Sequence, residues 1–165
     1  MRILITGAFG QLGHALQSVL SKKSNYELIC TGAKVKKGQE GIPLDIRNQV
    51  ALKELINTTA PDILINLAAM TNVDACELNP KLAGEINVAG LQHICDSFKG
   101  KIIHLSTDYV FDGTSGPYKE DDPQNPISIY GKTKLASENI LLEKDIKNLV
   151  IRGNVLYDYS PHTSA

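Results

Sequence analysis

The stretch that most limits what this chain can become is a short apolar run that breaks on glycine. "RILIT" (Arg2–Thr6) is followed by a turn that places Gly7, Gly10 and Gly13 in a G-x-x-G-x-x-G pattern. A run without polar alternation reads as a strand buried on both faces. Beyond the turn, Leu12, Ala15, Leu16, Val19 and Leu20 recur at helical spacing, and Lys22 and Lys23 sit where cations complement a helix C-terminus. Strand, glycine turn and helix in that order form a phosphate-binding device. Gly7 permits the tight turn, Gly10 lets backbone approach a pyrophosphate, and Gly13 lets helix and strand pack closely. The helix N-terminus then offers free N–H groups and a partial positive charge.

The same alternation continues down the chain. "ELICTG" (Glu27–Gly32) reads as a second strand and "GIPLD" as a short third. Asp45 and Asn48 are candidates to cap a helix running to about Thr58. "DILINLAA" (62–69) is a fourth strand, and Leu82, Ile86, Leu91, Ile94, Cys95 and Phe98 mark one long helix. "KIIHLST" (Lys101–Thr107) is a fifth strand, a helix spans about 129–143, and "NLVIRGNVLY" (148–157) is a sixth strand. Strands separated by crossovers predict an α/β fold: a doubly wound, Rossmann-like parallel sheet with helices on both faces. The whole chain, 1–165, reads as one domain. The loop over 108–128 is too long for a plain connection, which marks it as functional or disordered.

Composition removes several function classes. A net charge of −1 gives no broad pull toward nucleic acid or membrane. No apolar run reaches the ~20 residues of a membrane span. The first strand turns on glycine too soon for a signal peptide, so a cytoplasmic protein is expected. Cys30, Cys76 and Cys95 form no C-x-x-C pair and read as reduced small hydrophobes. His14, His93, His104 and His162 lack ligand spacing, so no metal site is expected and they read as structural or surface residues.

Ligands in doubly wound sheets sit beyond the C-terminal strand ends. "NLAAMT" and "STDYVFDG" therefore border the nicotinamide half of a dinucleotide. No carboxylate ends the second strand; Lys34, Lys36 and Lys37 follow it instead. This favours NADP(H), with a 2′-phosphate near Thr31 and Lys34, over NAD(H), which stays open; a solvated basic loop is the alternative. Asp45 and Ile46 are placed to meet the adenine edge, although Asp45 also suits a helix cap. Tyr130 and Lys134 share one helix face. A lysine cation beside a phenol favours phenolate and lowers its pKa, making Tyr130 a general acid for a carbonyl that receives hydride. Thr107 would hydrogen-bond the same carbonyl oxygen, and Lys134 also suits the nicotinamide ribose hydroxyls.

"STDYVFDG" and "PYKEDDPQNPISIYGKTKLASE", with "GAFGQLG", "NLAAMTNVDACE" and "INVAG" in order, resemble the dTDP-4-dehydrorhamnose reductase family of extended short-chain dehydrogenases/reductases. The resemblance covers nearly the whole chain. It implies NAD(P)H-dependent reduction of the C4 ketone of a nucleotide-linked deoxysugar. Carried over, Thr107, Tyr130 and Lys134 are the catalytic trio. Gly10, Gln11 and Leu12 cradle the pyrophosphate, Asp45 and Ile46 meet adenine, and Leu67, Ala68 and Ala69 line the nicotinamide side. Thr107 and Asp108 contact the sugar. Family members are longer, so the C-terminal substrate-binding part is expected to be absent, and weak dinucleotide binding with little turnover follows. An unprotected last strand points to marginal stability or a homo-oligomer. Two alternatives stand beside the reductase. One is a non-catalytic NADP-binding regulatory subunit like that of methionine adenosyltransferase. The other is a nucleotide-sugar epimerase or dehydratase.

Overall fold

The computed structural model describes residues 1–144 and 147–155. Six parallel strands form one sheet: β1 (Arg2–Thr6), β2 (Glu27–Gly32), β3 (Ile42–Pro43), β4 (Ile63–Asn66), β5 (Lys101–Thr107) and β6 (Leu149–Gly153), in the order β3-β2-β1-β4-β5-β6. β1 lies at the centre, with Ile3 opposite Leu28 on one side and Ile63 on the other. The chain winds outward from β1 to β3, returns to β4 beside β1, and winds outward again. That reversal opens a crevice at the C-terminal ends of β1 and β4, where sheets of this kind hold ligands.

The two faces are covered unequally. On one, α2 (Gln49–Thr59), α5 (Gly90–Ser97) and α6 (Ile129–Lys144) bury Leu52, Ile56, Leu91, Ile94 and Leu141 against Leu4, Leu64 and Ile102. On the other, α1 (Gln11–Leu20) lays Leu16 and Leu20 against Ile3 and Ile5. Partners in register point to the same side of a pleated sheet. Ile65, Ile103 and Leu149 are in register, and so are Leu105 and Ile151. These five form an apolar strip on the α1 side that starts at Ile65, packed with the Ile3 and Ile5 cluster, and runs outward to β6. Leu149 is 43% exposed and Ile151 46%.

Between β4 and β5 the long helix expected over 82–98 forms, with a π turn inside it and a separate short helix ahead of it. α3 (Val73–Leu78) precedes α4 (Pro80–Gly84), and one π turn, Glu85–Ala89, joins α4 to α5. Asparagine sets these starts. The side chains of Asn48, Asn72 and Asn79 accept from the backbone N–H groups of Ala51, Ala75 and Leu82 at the heads of α2, α3 and α4. Each such cap stabilises its helix by ~1 kcal/mol. β4 stops at Asn66, three residues before the expected end at Ala69. β6 stops at Gly153; Leu156 and Tyr157, expected in it, lie outside the described residues, as does His162. No helix among the described residues is long and apolar enough to cross a membrane.

Candidate active site

The glycine turn is built around positions where a side chain will not fit. Gly7 adopts φ +70°, and a Cβ there would lie 2.6 Å from Ala68 N and 2.7 Å from Leu67 C. A Cβ on Gly13 would run into the backbone of Ala8. Gly10 differs: its nearest neighbour would be Gly7 O at 3.5 Å. The protein itself does not fill the space over Gly10. The N-terminus of α1 opens beside it with no side-chain cap, so its first N–H groups remain available to an anion.

A cleft of about 680 Å³ runs from this turn across the strand ends. Of the residues singled out from sequence, Gly7, Gly10, Gln11, Leu12, Gly13, Asp45, Ile46, Leu67, Ala68, Ala69, Thr107, Asp108 and Tyr130 all line it. Positions far apart in sequence thus share one wall. Arg47, Ser106 and Tyr109 also line it, although the sequence reading gave them no role. Three expectations need correction. Thr31 is fully buried and its hydroxyl donates to Ile5 O at 3.1 Å, so strand alternation turns it away from a 2′-phosphate. Lys34 is exposed and stands off the cleft lining. Lys134 is only 2% exposed and lies behind the wall, its Nζ donating to Leu105 O at 2.7 Å.

Asp45 resolves one of the open alternatives. It does not cap α2, since Asn48 does. Its carboxylate accepts from Arg47 at 2.6 Å and 3.0 Å. That guanidinium holds the Asp45 carboxyl below its ordinary pKa. Arg47 also reaches Glu85 at 3.7 Å, so one cation links both acids at this end of the cleft.

Tyr130 is half-buried at the head of α6 and packs edge-on against Tyr109, with ring centroids 5.8 Å apart. Burial pushes its phenol above the ordinary pKa, and interaction with Thr107 opposes this. The sign is therefore opposite to the lowering expected from Lys134. In this structure the ammonium is directed at β5, not at the phenol. Thr107 accepts from Tyr109 N at 3.2 Å and donates to Asp108 at 3.2 Å. Ser106 is 5% exposed, and its Oγ has no hydrogen-bond partner among the described residues. A buried, unsatisfied hydroxyl on a cleft wall costs free energy until a ligand meets it.

Two asparagines give the site its rigidity. Asn87, in the π turn, accepts from Met70 N at 2.8 Å and donates to Met70 O at 3.1 Å and Thr133 Oγ1 at 3.0 Å. It ties the segment after β4 to α6. Asn66, at the end of β4, accepts from the Thr6 hydroxyl at 2.6 Å. None of these bonds could be read from local spacing. The available signal was a polar amide ending an apolar strand.

Comparison with known proteins places this arrangement. Residues 1–164 match the family described as RmlD substrate binding domain. The chain belongs to that family. A dTDP-4-dehydrorhamnose reductase of Aggregatibacter actinomycetemcomitans is 39% identical over 155 residues, 92% of this chain and 50% of the relative. Methionine adenosyltransferase 2 subunit beta of Xenopus tropicalis is 37% identical over 159 residues, 94% of this chain and 47% of the relative. Among solved structures, dTDP-4-dehydrorhamnose reductase from Bacillus anthracis, in complex with NADP, superposes with a TM-score of 0.85 at 34% identity; the match covers 94% of this chain and 54% of that one. The chain thus spans about half the length of the relatives it matches.

Proposed function

We propose that this chain carries the dinucleotide-binding and catalytic half of an NAD(P)H-dependent reductase acting on the 4-keto group of a nucleotide-linked deoxysugar. One observation carries the reading. Thr107 and Tyr130 come from separate segments and meet on a cleft whose opposite end is an uncapped helix N-terminus over Gly10. A dinucleotide fits the residues present: Gly10 leaves room for a pyrophosphate, and the Ser106 hydroxyl lacks a partner. The relative solved with NADP supports NADP(H), and no carboxylate ends β2 to hold an unphosphorylated ribose.

When bound, the reduced nicotinamide supplies hydride. The chain's own groups do the rest. The raised pKa of Tyr130 keeps its phenol protonated at neutral pH, the form that donates to a developing alkoxide. Such placement is typically worth ~10²–10⁴ in rate. Thr107 Oγ1 offers a second hydrogen bond to the same oxygen, and the backbone at Leu67–Ala69 orients the ring. Arg47, paired with Asp45, is the cation on the cleft lining at the adenine end.

Calorimetry with NADPH and NADH, and NADPH oxidation with dTDP-4-dehydrorhamnose, test this. Dinucleotide binding with slow substrate-dependent oxidation is expected. Absence of binding to either dinucleotide would remove the reading. Near-equal identity to a methionine adenosyltransferase subunit carries a second reading, an NADP-binding regulatory half. Binding without any hydride transfer, even when the sugar-binding half is supplied, would favour it.

A further inference from the structure

His104 lies in the middle of β5 and is 1% exposed. Three groups surround its ring. Asn66 Nδ2 is 3.0 Å from Nδ1, while Ser137 Oγ and Lys134 Nζ are each 3.1 Å from Nε2. The outer bonds decide where the protons sit. Asn66 Oδ1 accepts from Ala68 N at 3.3 Å and from the Thr6 hydroxyl at 2.6 Å. A backbone N–H can only donate, so the amide oxygen is fixed on that side and its NH₂ faces His104. Nδ1 therefore accepts, and a neutral ring carries its hydrogen on Nε2. Ser137 donates its own hydrogen to Lys134 O at 2.6 Å, which leaves its lone pairs for Nε2–H. Lys134 thus meets a donor on its His104 side and, among the described residues, finds its acceptor at Leu105 O.

We propose that His104 is a positioning residue for Lys134: locked by Asn66 as the Nε2–H tautomer, it fixes the Lys134 nitrogen behind the cleft wall and disfavours its charged form. The other groups agree. Burial, then the Lys134 charge, keeps His104 well below its ordinary pKa, so the ring stays neutral. Burial holds Lys134 down to about 8. Glu138, one turn on along α6, pulls the other way, but it is paired with Arg152 of β6 at 2.7 Å. Tyr130, on the preceding turn of α6, faces the cleft. A lysine whose midpoint is lowered to about 8 stays mostly protonated at neutral pH but can release a proton more readily than an ordinary one. That consequence rests on the reductase reading; the tautomer lock does not.

Nitrogen-15 NMR of the histidine-labelled chain reads the lock directly. The expected result is an unprotonated Nδ1 and a protonated Nε2 that persist well below pH 6.5, the ordinary midpoint. An Nδ1–H tautomer, or an ordinary titration, would overturn the proposal. The second measurement follows Lys134 by its ¹³Cε shift in the wild type and in His104→Gln, which offers an acceptor in place of the donor. The Lys134 midpoint should rise by about one unit or more. An unchanged midpoint in a folded variant would also overturn it, since mere packing would not couple the two residues. Neither readout uses dinucleotide or turnover, so failure here is separate from failure of the reductase assay.

Discussion

Arg152 offers the most direct test of what holds the β5–β6 side of the sheet together. Its guanidinium donates to Glu138 at 2.7 Å and twice at 3.1 Å, to Glu120 O at 2.8 Å, and lies 5.2 Å over the Phe111 ring. Phe111 in turn stacks on Tyr118 at 4.4 Å. One side chain therefore joins β6, α6 and the long loop after β5. The Glu138 side chain is 1% exposed and that of Arg152 19%. Arg152→Met leaves a buried carboxylate without its partner, which costs ~3–5 kcal/mol. Partial access of water to Arg152 puts the expected loss near the lower end, and the lost ring contact adds about 0.5–1 kcal/mol. Urea unfolding followed by circular dichroism should show a destabilisation of roughly 3–4 kcal/mol. Adding Glu138→Leu removes the stranded charge, so the double variant should recover most of the loss. A single-variant cost under about 1 kcal/mol, or a double variant as unstable as the sum of its parts, would refute the reasoning.

Other outcomes follow from the same structure. Gly13→Ala should lower stability by about 1–3 kcal/mol, because its Cβ meets the Ala8 backbone, whereas Gly10→Ala should leave the melting temperature nearly unchanged yet weaken NADPH binding by calorimetry. Tyr130→Phe should cut substrate-dependent NADPH oxidation by ~10²–10⁴ while leaving dinucleotide affinity intact; equal turnover would exclude Tyr130 as the proton donor. Lys134 holds fewer protons folded than unfolded between its buried value of about 8 and its ordinary 10.5. Its burial penalty is thus complete below pH 8 and fades as pH rises through that window, where the unfolded chain binds more protons. Cys95, raised to about 11, acts in the opposite direction above pH 9. The stability difference between Lys134→Met and wild type, measured by urea unfolding against pH, should therefore shrink as pH rises from 8 to 10.5. Sedimentation should show concentration-dependent association that Ile151→Lys abolishes, since Ile151 is 46% exposed on an apolar strip.

The strands and the glycine turn were legible because buried parallel strands leave continuous apolar runs, and because Gly7 and Gly13 answer a local steric need. The cleft lining was legible for the same reason: strand ends are local features, and the fold rule brings them together. What could not be read depended on side-chain bonds between distant segments. The π turn depends on Asn87 meeting Met70 and Thr133. The separate short helix α3 ends where Asn79 caps the start of α4, a boundary that periodicity alone did not mark. Helical spacing put Tyr130 and Lys134 on one face, but it could not say that the longer side chain would turn toward β5. Thr31 shows the same limit in a strand, where the inward position spends its hydroxyl on Ile5 O.

Leu105 has three duties at once. Its side chain belongs to the apolar strip on the α1 face of the sheet, it forms part of the cleft wall, and its carbonyl receives the Lys134 hydrogen. A body that comes to rest on that strip would press on the same residue that steadies the lysine. The apolar strip at the back of the sheet and the anchor of Lys134 behind the cleft therefore meet at a single strand position.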